Sequence, residues 1–418
     1  MFDMQEGKQP IRNLRVLLLG RVLAGLSANM FAFALSLYIL DKTGSVGQFS
    51  LVLGFSIIPG VIINLLGGAF VDRNNKKKQL IYADLLSCFL MLVLGLLFVT
   101  TELSLIYLIA FTVLINVTQS FYGLAMSAGM PEMFDSTEIS KANSLLQVSA
   151  MMISIVGPVA GAFAYKLVGI TSVIFFNVVS IFGSSMLAIL LRFRTHTKTG
   201  LRTSYLADIK EAGQYLKQEK VMRFLLMVCL IMNMMYVPMI LLVMPYINYQ
   251  VIKISGIQLS IIEAAWAIGG VFGGLYISMQ KNTNRFIRNL FPLIIIQSLM
   301  LMCWVFPSFG FTGSTKNLVT AIFTCILALT GLVNMIQMLP LITHFQVKIP
   351  EKLRGKVMGV INATTMVSAP LGMWLIGGIM SVFAWEYIIL GTGGLLILLA
   401  LFFSRNRSFM AFTEDLKI

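Results

Sequence analysis

Three ionisable side chains stand inside long apolar stretches of this sequence: Arg21, Asp84 and Glu263. A lone charge in hydrocarbon is costly enough to need either a function or a partner. Glu263 sits roughly 10 Å along a helix from the nearer end of its stretch. It is followed by Ala264-Ala265-Trp266-Ala267-Ile268-Gly269-Gly270, a run of small residues suited to close helix packing. A carboxyl in such a place can gain and lose a proton as its surroundings alternate, which is the chemistry of ion coupling. The other role open to it is structural, as a carboxylate hydrogen-bonded between helices. Arg21 and Asp84 lie roughly 8–10 Å from the opposite end of their stretches. Snorkelling to the interface is the expectation for Asp84 and is open to Arg21. Arg21 has a second possibility: lining a cavity, where it would attract an anionic group or pair with a carboxylate.

Uncharged polar residues form a second set. Asn116 and Gln119, Asn233 and Tyr236, and Asn334 and Gln337 are each three residues apart and so share a helix face. Amides in an apolar span must bond one another or face water. Lining a wetted cavity is the expectation, with Asn29 a further member, and bonding between helices is the alternative. The seventh apolar stretch is dense in methionine (Met227, Met232, Met234, Met235, Met239, Met244), whose flexible side chains suit varied apolar ligands.

The elements that would hold these residues follow from composition. The chain has 418 residues, 58% hydrophobic and 11% charged, against roughly 25% charged in an ordinary soluble domain. Apolar stretches long enough to cross a bilayer recur at 14–40, 48–71, 79–101, 104–129, 142–165, 170–191, 224–247, 257–280, 289–309, 318–343, 357–383 and 387–404. The first is too long for a signal-peptide core and reads as a retained helix. The expected architecture is therefore all-α and integral to the membrane, with twelve spans.

The net charge of +14 does not point to nucleic acid. Of the 31 Lys and Arg residues, 26 fall in the termini and even-numbered loops, and the odd-numbered loops hold Lys42, Lys166, Lys253 and Lys316. That asymmetry places both termini in the cytoplasm. The longest polar stretch, 192–223, divides the chain into six-helix halves, 1–191 and 224–418. Within it Leu206, Ile209, Gly213 and Leu216 recur at helical spacing beside Lys210, Lys217 and Lys220, predicting a short amphipathic helix on the inner leaflet. Cys88, Cys229, Cys303 and Cys325 lack metal or disulfide spacing and read as small buried hydrophobes. His196 and His344 have no metal-ligand company.

After the second span the sequence runs Gly68-Ala69-Phe70-Val71-Asp72-Arg73-Asn74-Asn75-Lys76-Lys77. This G-x-x-x-D-R-x-x-K-K pattern resembles the signature loop of the major facilitator superfamily. Asp41-Lys42-Thr43-Gly44-Ser45, Ala142-Asn143-Ser144-Leu145-Leu146-Gln147 and Arg354-Gly355-Lys356-Val357-Met358 look like the macrolide-efflux-like exporters of that superfamily. Gly157-Pro158-Val159-Ala160-Gly161 is similar to the core of its antiporter motif. Gly67-Gly68 and Gly273-Gly274 echo one another across the halves, although Ser278-Met279 stands where a second Asp-Arg would be.

The resemblance implies a latch loop of Gly68, Asp72, Arg73, Lys76 and Lys77. It also implies a bend at Gly157, Pro158 and Gly161, and a cavity lined by the first, fourth, seventh and tenth helices, which carry the polar pairs above. The function expected is proton-coupled export of amphipathic small molecules by alternating access, with Glu263 as the coupling carboxylate. A lipid or lysolipid translocator, a metabolite importer and a non-transporting sensor or partner subunit are the competing roles. No Walker-A loop, H-E-x-x-H or nucleophile elbow is present, so enzyme chemistry is not expected and an ion gradient is the energy source. No cofactor or metal is called for; the partners expected are substrate, protons and lipid, around a monomer in a bacterial cell membrane.

Overall fold

The computed structural model describes residues 9–67, 71, 74–101, 104–193, 205–280, 282–309 and 316–415. Among them every regular element is helical. In order these are α1 (Gln9–Thr43), α2 (Val46–Leu66), α3 (Lys76–Thr100), α4 (Leu105–Met133), α5 (Ser136–Leu190), α6 (Tyr205–Gln218), α7 (Lys220–Pro238) and α8 (Gly256–Ser278). They continue as α9 (Asn284–Arg288), α10 (Leu290–Met302), α11 (Lys316–Lys348), α12 (Glu351–Met380), α13 (Trp385–Ser404) and α14 (Arg407–Asp415).

Eleven of the described helical segments are long and apolar enough to cross a membrane. One of them, α5, holds two of the twelve expected spans. Its 55 residues include Gly169 at φ 74°, ψ 173°, a region that only glycine enters readily. A straight helix of that length would run about 82 Å, roughly twice a bilayer, so the chain turns back at this single residue. The limbs, 136–168 and 170–190, are each long enough to cross.

Local chemistry sets the other ends. Asn75 accepts a hydrogen bond from the Lys78 backbone N–H at 3.0 Å and starts α3. Ser255 and Gln258 form a reciprocal capping box on α8. Pro238 and Pro245 each remove a backbone donor, and wide π-type turns follow at Met239–Val243 and Ile247–Val251, carrying α7 on to residue 251. Large apolar side chains such as Phe89, Val179, Leu398 and Phe402 are exposed. That surface suits hydrocarbon as its solvent.

The chain packs as two compact units, the first comprising 1–39 and 55–203 and the second 40–54 and 204–418. In the first, α3 packs on α4 and α5. The α1–α5 crossing is close, since a Cβ on Gly157 would lie 2.5 Å from Asn29 Cβ and one on Gly161 would lie 2.6 Å from the Met30 carbonyl. In the second, α8 and α11 make the most extensive pairing, with Gly269, Gly273 and Gly331 set against facing backbone. Residues 40–54 join this unit through Tyr249 Oη donating to Asp41 Oδ2 at 3.1 Å and Gln250 Nε2 donating to the Leu40 carbonyl at 2.6 Å.

Three sequence expectations are corrected here. The amphipathic segment does form a helix, α6, but its buried Ala212 and Leu216 pack against α12 rather than facing a leaflet alone. Glu211 pairs with Lys356 Nζ at 2.6 Å, and Tyr215 Oη donates to the Lys348 carbonyl at 3.5 Å. Burial against the backbone and the neighbouring Glu219 raise the Tyr215 phenol above its usual range. Cys303 and Cys325 are exposed rather than buried. Met232, Met239 and Met244 fill the packed interior. The α6 contact divides unequally: Leu216→Ala should lower thermal stability by about 2 kcal/mol, whereas Glu211→Gln should cost under ~1 kcal/mol because that pair is exposed. Thermal unfolding of the two proteins in one detergent checks the order.

Candidate functional site

The first unit holds a cleft of about 470 Å³ between α1, α4 and the first limb of α5. Arg21, Tyr122, Ser127, Asn143 and Gln147 contribute its polar surface, on a floor that includes Leu17, Met126 and Leu146. Arg21 is exposed and lines it, and engages no hydrogen bond or ion pair among the described residues. No carboxylate is among the lining residues. Hydrogen-bonding groups and one cation over an apolar floor suit an amphipathic ligand.

Behind this cleft lies Asp84, 2% exposed, with Ser184 Oγ donating to its Oδ2 at 3.1 Å. The expected snorkelling does not occur, because this face of α3 is covered by the second limb of α5. Tyr122 lies within electrostatic reach of both Asp84 and Arg21. A Cβ on Gly20 would touch Ser184 Oγ at 3.4 Å, which brings α1 against the same serine. Ser184, Tyr122, Asn143 and Gln147 went unmarked as site residues. The last two had a signal, amides four apart on one helix face.

The remaining candidates are distributed as follows. Gln119 Nε2 donates to Ser87 Oγ at 3.3 Å, and Ser87 also bonds Thr118, so this part of α4 serves the helix interface. Asn116, Asn29 and Asn233 each bond a carbonyl one turn back, those of Thr112, Gly25 and Cys229. Tyr236 and Gln337 are buried in the second unit, 4% and 5% exposed, not on an open face. The Tyr236 hydroxyl lies beside Gln297 and Thr330 without closing a well-formed hydrogen bond, and both amide ends of Gln297 are unbonded. Asn334 is half-buried on α11. Glu263 is half-buried on α8, and no protein hydrogen bond or ion pair reaches its carboxylate among the described residues.

In the first turn of α3, Lys76 Nζ pairs with Glu132 at 2.9 Å, and Lys77 Nζ donates to the Ile189 carbonyl at the end of α5, 2.6 Å away. A cation there complements the negative end of a helix. Gly68, Asp72 and Arg73 lie outside the described residues, as does His196. His344 stacks edge-on against Phe412, and no metal-holding cluster occurs among the described residues. Pro158 is buried between Gly157 and Gly161 at the α1–α5 crossing.

The sequence profile of the Major Facilitator Superfamily matches residues 17–372. The chain belongs to that superfamily. It is a transporter rather than an enzyme. Macrolide efflux protein A of Streptococcus pyogenes is 23% identical over 362 residues, covering 85% of this chain and 86% of the relative. The multidrug efflux pump Tap of Mycolicibacterium fortuitum is 25% identical over 378 residues, covering 87% and 88%. Among solved structures, a bacterial homologue of the iron transporter ferroportin in its inward-facing state superposes with a TM-score of 0.71 at 14% identity, covering 95% of this transporter and 99% of that chain. The nucleoside transporter NupG gives 0.71 at 13% identity, covering 94% and 98%. The macrolide-efflux likeness expected from the motifs is thus found across most of the length, and the superpositions establish the fold of the transporter.

Proposed function

We propose that this transporter exports amphipathic small molecules, drug-like or macrolide-like, across a bacterial cell membrane by proton-coupled alternating access. The moving parts are the halves 1–191 and 224–418 joined by 192–223, with both termini cytoplasmic and the monomer as the working unit. The cleft lined by Arg21, Asn143 and Gln147 carries this reading, because it sets one cation and two amides over an apolar floor among the membrane-length helices. Efflux-named relatives over 85% and 87% of the chain support the direction. Glu263, without a hydrogen-bond or ion-pair partner among the described residues, is the carboxylate assigned to proton coupling, and Asp72 to the cytoplasmic latch.

A lipid or lysolipid translocator is the second reading. It is favoured by a groove of about 410 Å³ between α3 and α4, lined by Tyr82, Leu86 and Phe121 with Lys78 at one end. Its apolar walls suit an acyl chain.

Proteoliposomes with an imposed pH gradient test both, using cationic, neutral and anionic amphiphiles and lysolipids. Gradient-driven flux of amphiphiles is expected in the native protein. It should be lost with Glu263→Gln, leaving counterflow, and slowed with Asp72→Asn. Flux of lysolipids alone would support the second reading, and gradient-driven flux persisting in Glu263→Gln would remove the coupling role.

A further inference from the structure

Three helix stripes meet at the cleft of the first unit, and their chemistry is one-sided in charge. Leu17 and Arg21 lie one turn apart on α1, Tyr122 and Met126 on α4, and Asn143 and Gln147 on the first limb of α5. Arg21, Asn143 and Gln147 are exposed, and none of the three has a hydrogen-bond partner among the described residues. Ser127 already donates its hydroxyl proton to the Gly123 carbonyl at 2.9 Å. The donors left over are therefore a guanidinium and two primary amides. No carboxylate is among the lining residues. Asp84, the acid of the neighbouring α3, is 2% exposed and takes its hydrogen bond from Ser184.

That set of groups decides the sign, the number of charges and the size of what can bind. A cation would face a like-charged guanidinium with no carboxylate in the lining to offset it. A dianion would bring one charge more than the lining matches, over a floor that solvates it less well than water. An inorganic anion would lose hydration over Leu17, Met126 and Leu146 and gain no apolar contact in return. The cleft volume of about 470 Å³ is that of a site for a drug-sized molecule. The planar fork of a guanidinium matches paired oxygens on one centre, as in a carboxylate or sulfonate. We propose that the ligand of this cleft is an amphipathic organic monoanion, a carboxylate or sulfonate on an apolar body. Arg21 holds the charged head, the Asn143 and Gln147 amides donate to its oxygens, and the body lies on the apolar floor. This rests on the export reading above and narrows its substrates to acidic amphiphiles.

The test is equilibrium binding to the full-length protein in phosphatidylcholine nanodiscs, with binding to empty discs subtracted. Three fluorescent probes share one apolar body: pyrenebutanesulfonate, pyrenebutanol and pyrenebutyltrimethylammonium. The sulfonate should bind about tenfold tighter than the alcohol, the factor one charge pair supplies in a half-wetted cleft, and the ammonium should bind weakest. Arg21→Gln should abolish the advantage of the sulfonate over the alcohol, and Arg21→Lys, which keeps the charge without the fork, should retain part of it. Asn143→Ala combined with Gln147→Ala should weaken the sulfonate more than the alcohol. All three residues are exposed, so these variants do not threaten packing. Equal affinity for the three probes, tightest binding of the ammonium, or a sulfonate advantage surviving Arg21→Gln overturns the proposal. The Arg21-dependent advantage should persist when phosphatidylglycerol enters the discs; its loss there would give the anion site to a lipid headgroup and overturn the small-molecule assignment. Arg21-dependent sulfonate binding without gradient-driven flux in liposomes would overturn the transport reading and leave this one standing. Gradient-driven flux with no Arg21-dependent preference would do the reverse.

Discussion

A Gly331→Leu protein is expected to lose about 3 kcal/mol of stability or fail to accumulate in the membrane at all, a cost at the top of the range for overpacking. A Cβ at this position of α11 would fall inside the Trp266 carbonyl of α8, and the Gly270 backbone nitrogen is 3.1 Å away on the same side. Backbone cannot rotate aside as a flexible side chain can. Gly269 and Gly273 are also set tightly against the Ala328 and Leu332 carbonyls, so the two helices touch through three glycines. In hydrocarbon no water is released when helices meet, and close contact is what holds them together. Gly391 of α13 has nothing within 4 Å of its would-be Cβ. Gly391→Leu should therefore unfold with the native protein in a thermal scan, and equal loss in both variants would contradict the account.

Arg21→Glu is expected to shift the ratio of cationic to anionic amphiphiles handled by the transporter about 100-fold toward the cation. One charge pair at roughly 6 Å, with an effective dielectric near 40 for a half-wetted cleft, is worth about 1.4 kcal/mol. Reversing the residue removes that attraction for an anion and creates an equal repulsion, two tenfold factors. The measurement uses two probes with matched apolar bodies and opposite charge in the same liposomes. An unchanged ratio would mean that the guanidinium does not meet the ligand.

Hydropathy carried the crossings, because hydrocarbon demands long apolar helices with internally bonded backbone wherever the chain spans. It did not carry which way each residue faces. The rise per residue gave the depth of Asp84 but not its azimuth, which α5 fixes by covering that side of α3. Cys303 and Cys325 look like core residues in sequence and are exposed, since lipid and protein interior are equally apolar. Gln119 and Asn116 share a face by spacing, yet Ser87 of another helix draws Gln119 into the interface. The motif around Asn143 and Gln147 marked the family without revealing that its amides border a cleft beside Arg21. The helical pattern of 205–218 was plain, whereas its dock on α12 depends on residues more than a hundred positions away.

The wide turns at Met239–Val243 and Ile247–Val251 give α7 a kind of slack. A π-type turn holds one residue more than an α turn in the same rise, so it absorbs a surplus residue locally. In α8, by contrast, a residue gained or lost would swing everything beyond it by about 100° and turn Gly269 or Gly273 away from α11. The C-terminal end of α7 can therefore change length by one residue without re-aiming its N-terminal end, whereas the glycine-lined α8 admits no such change.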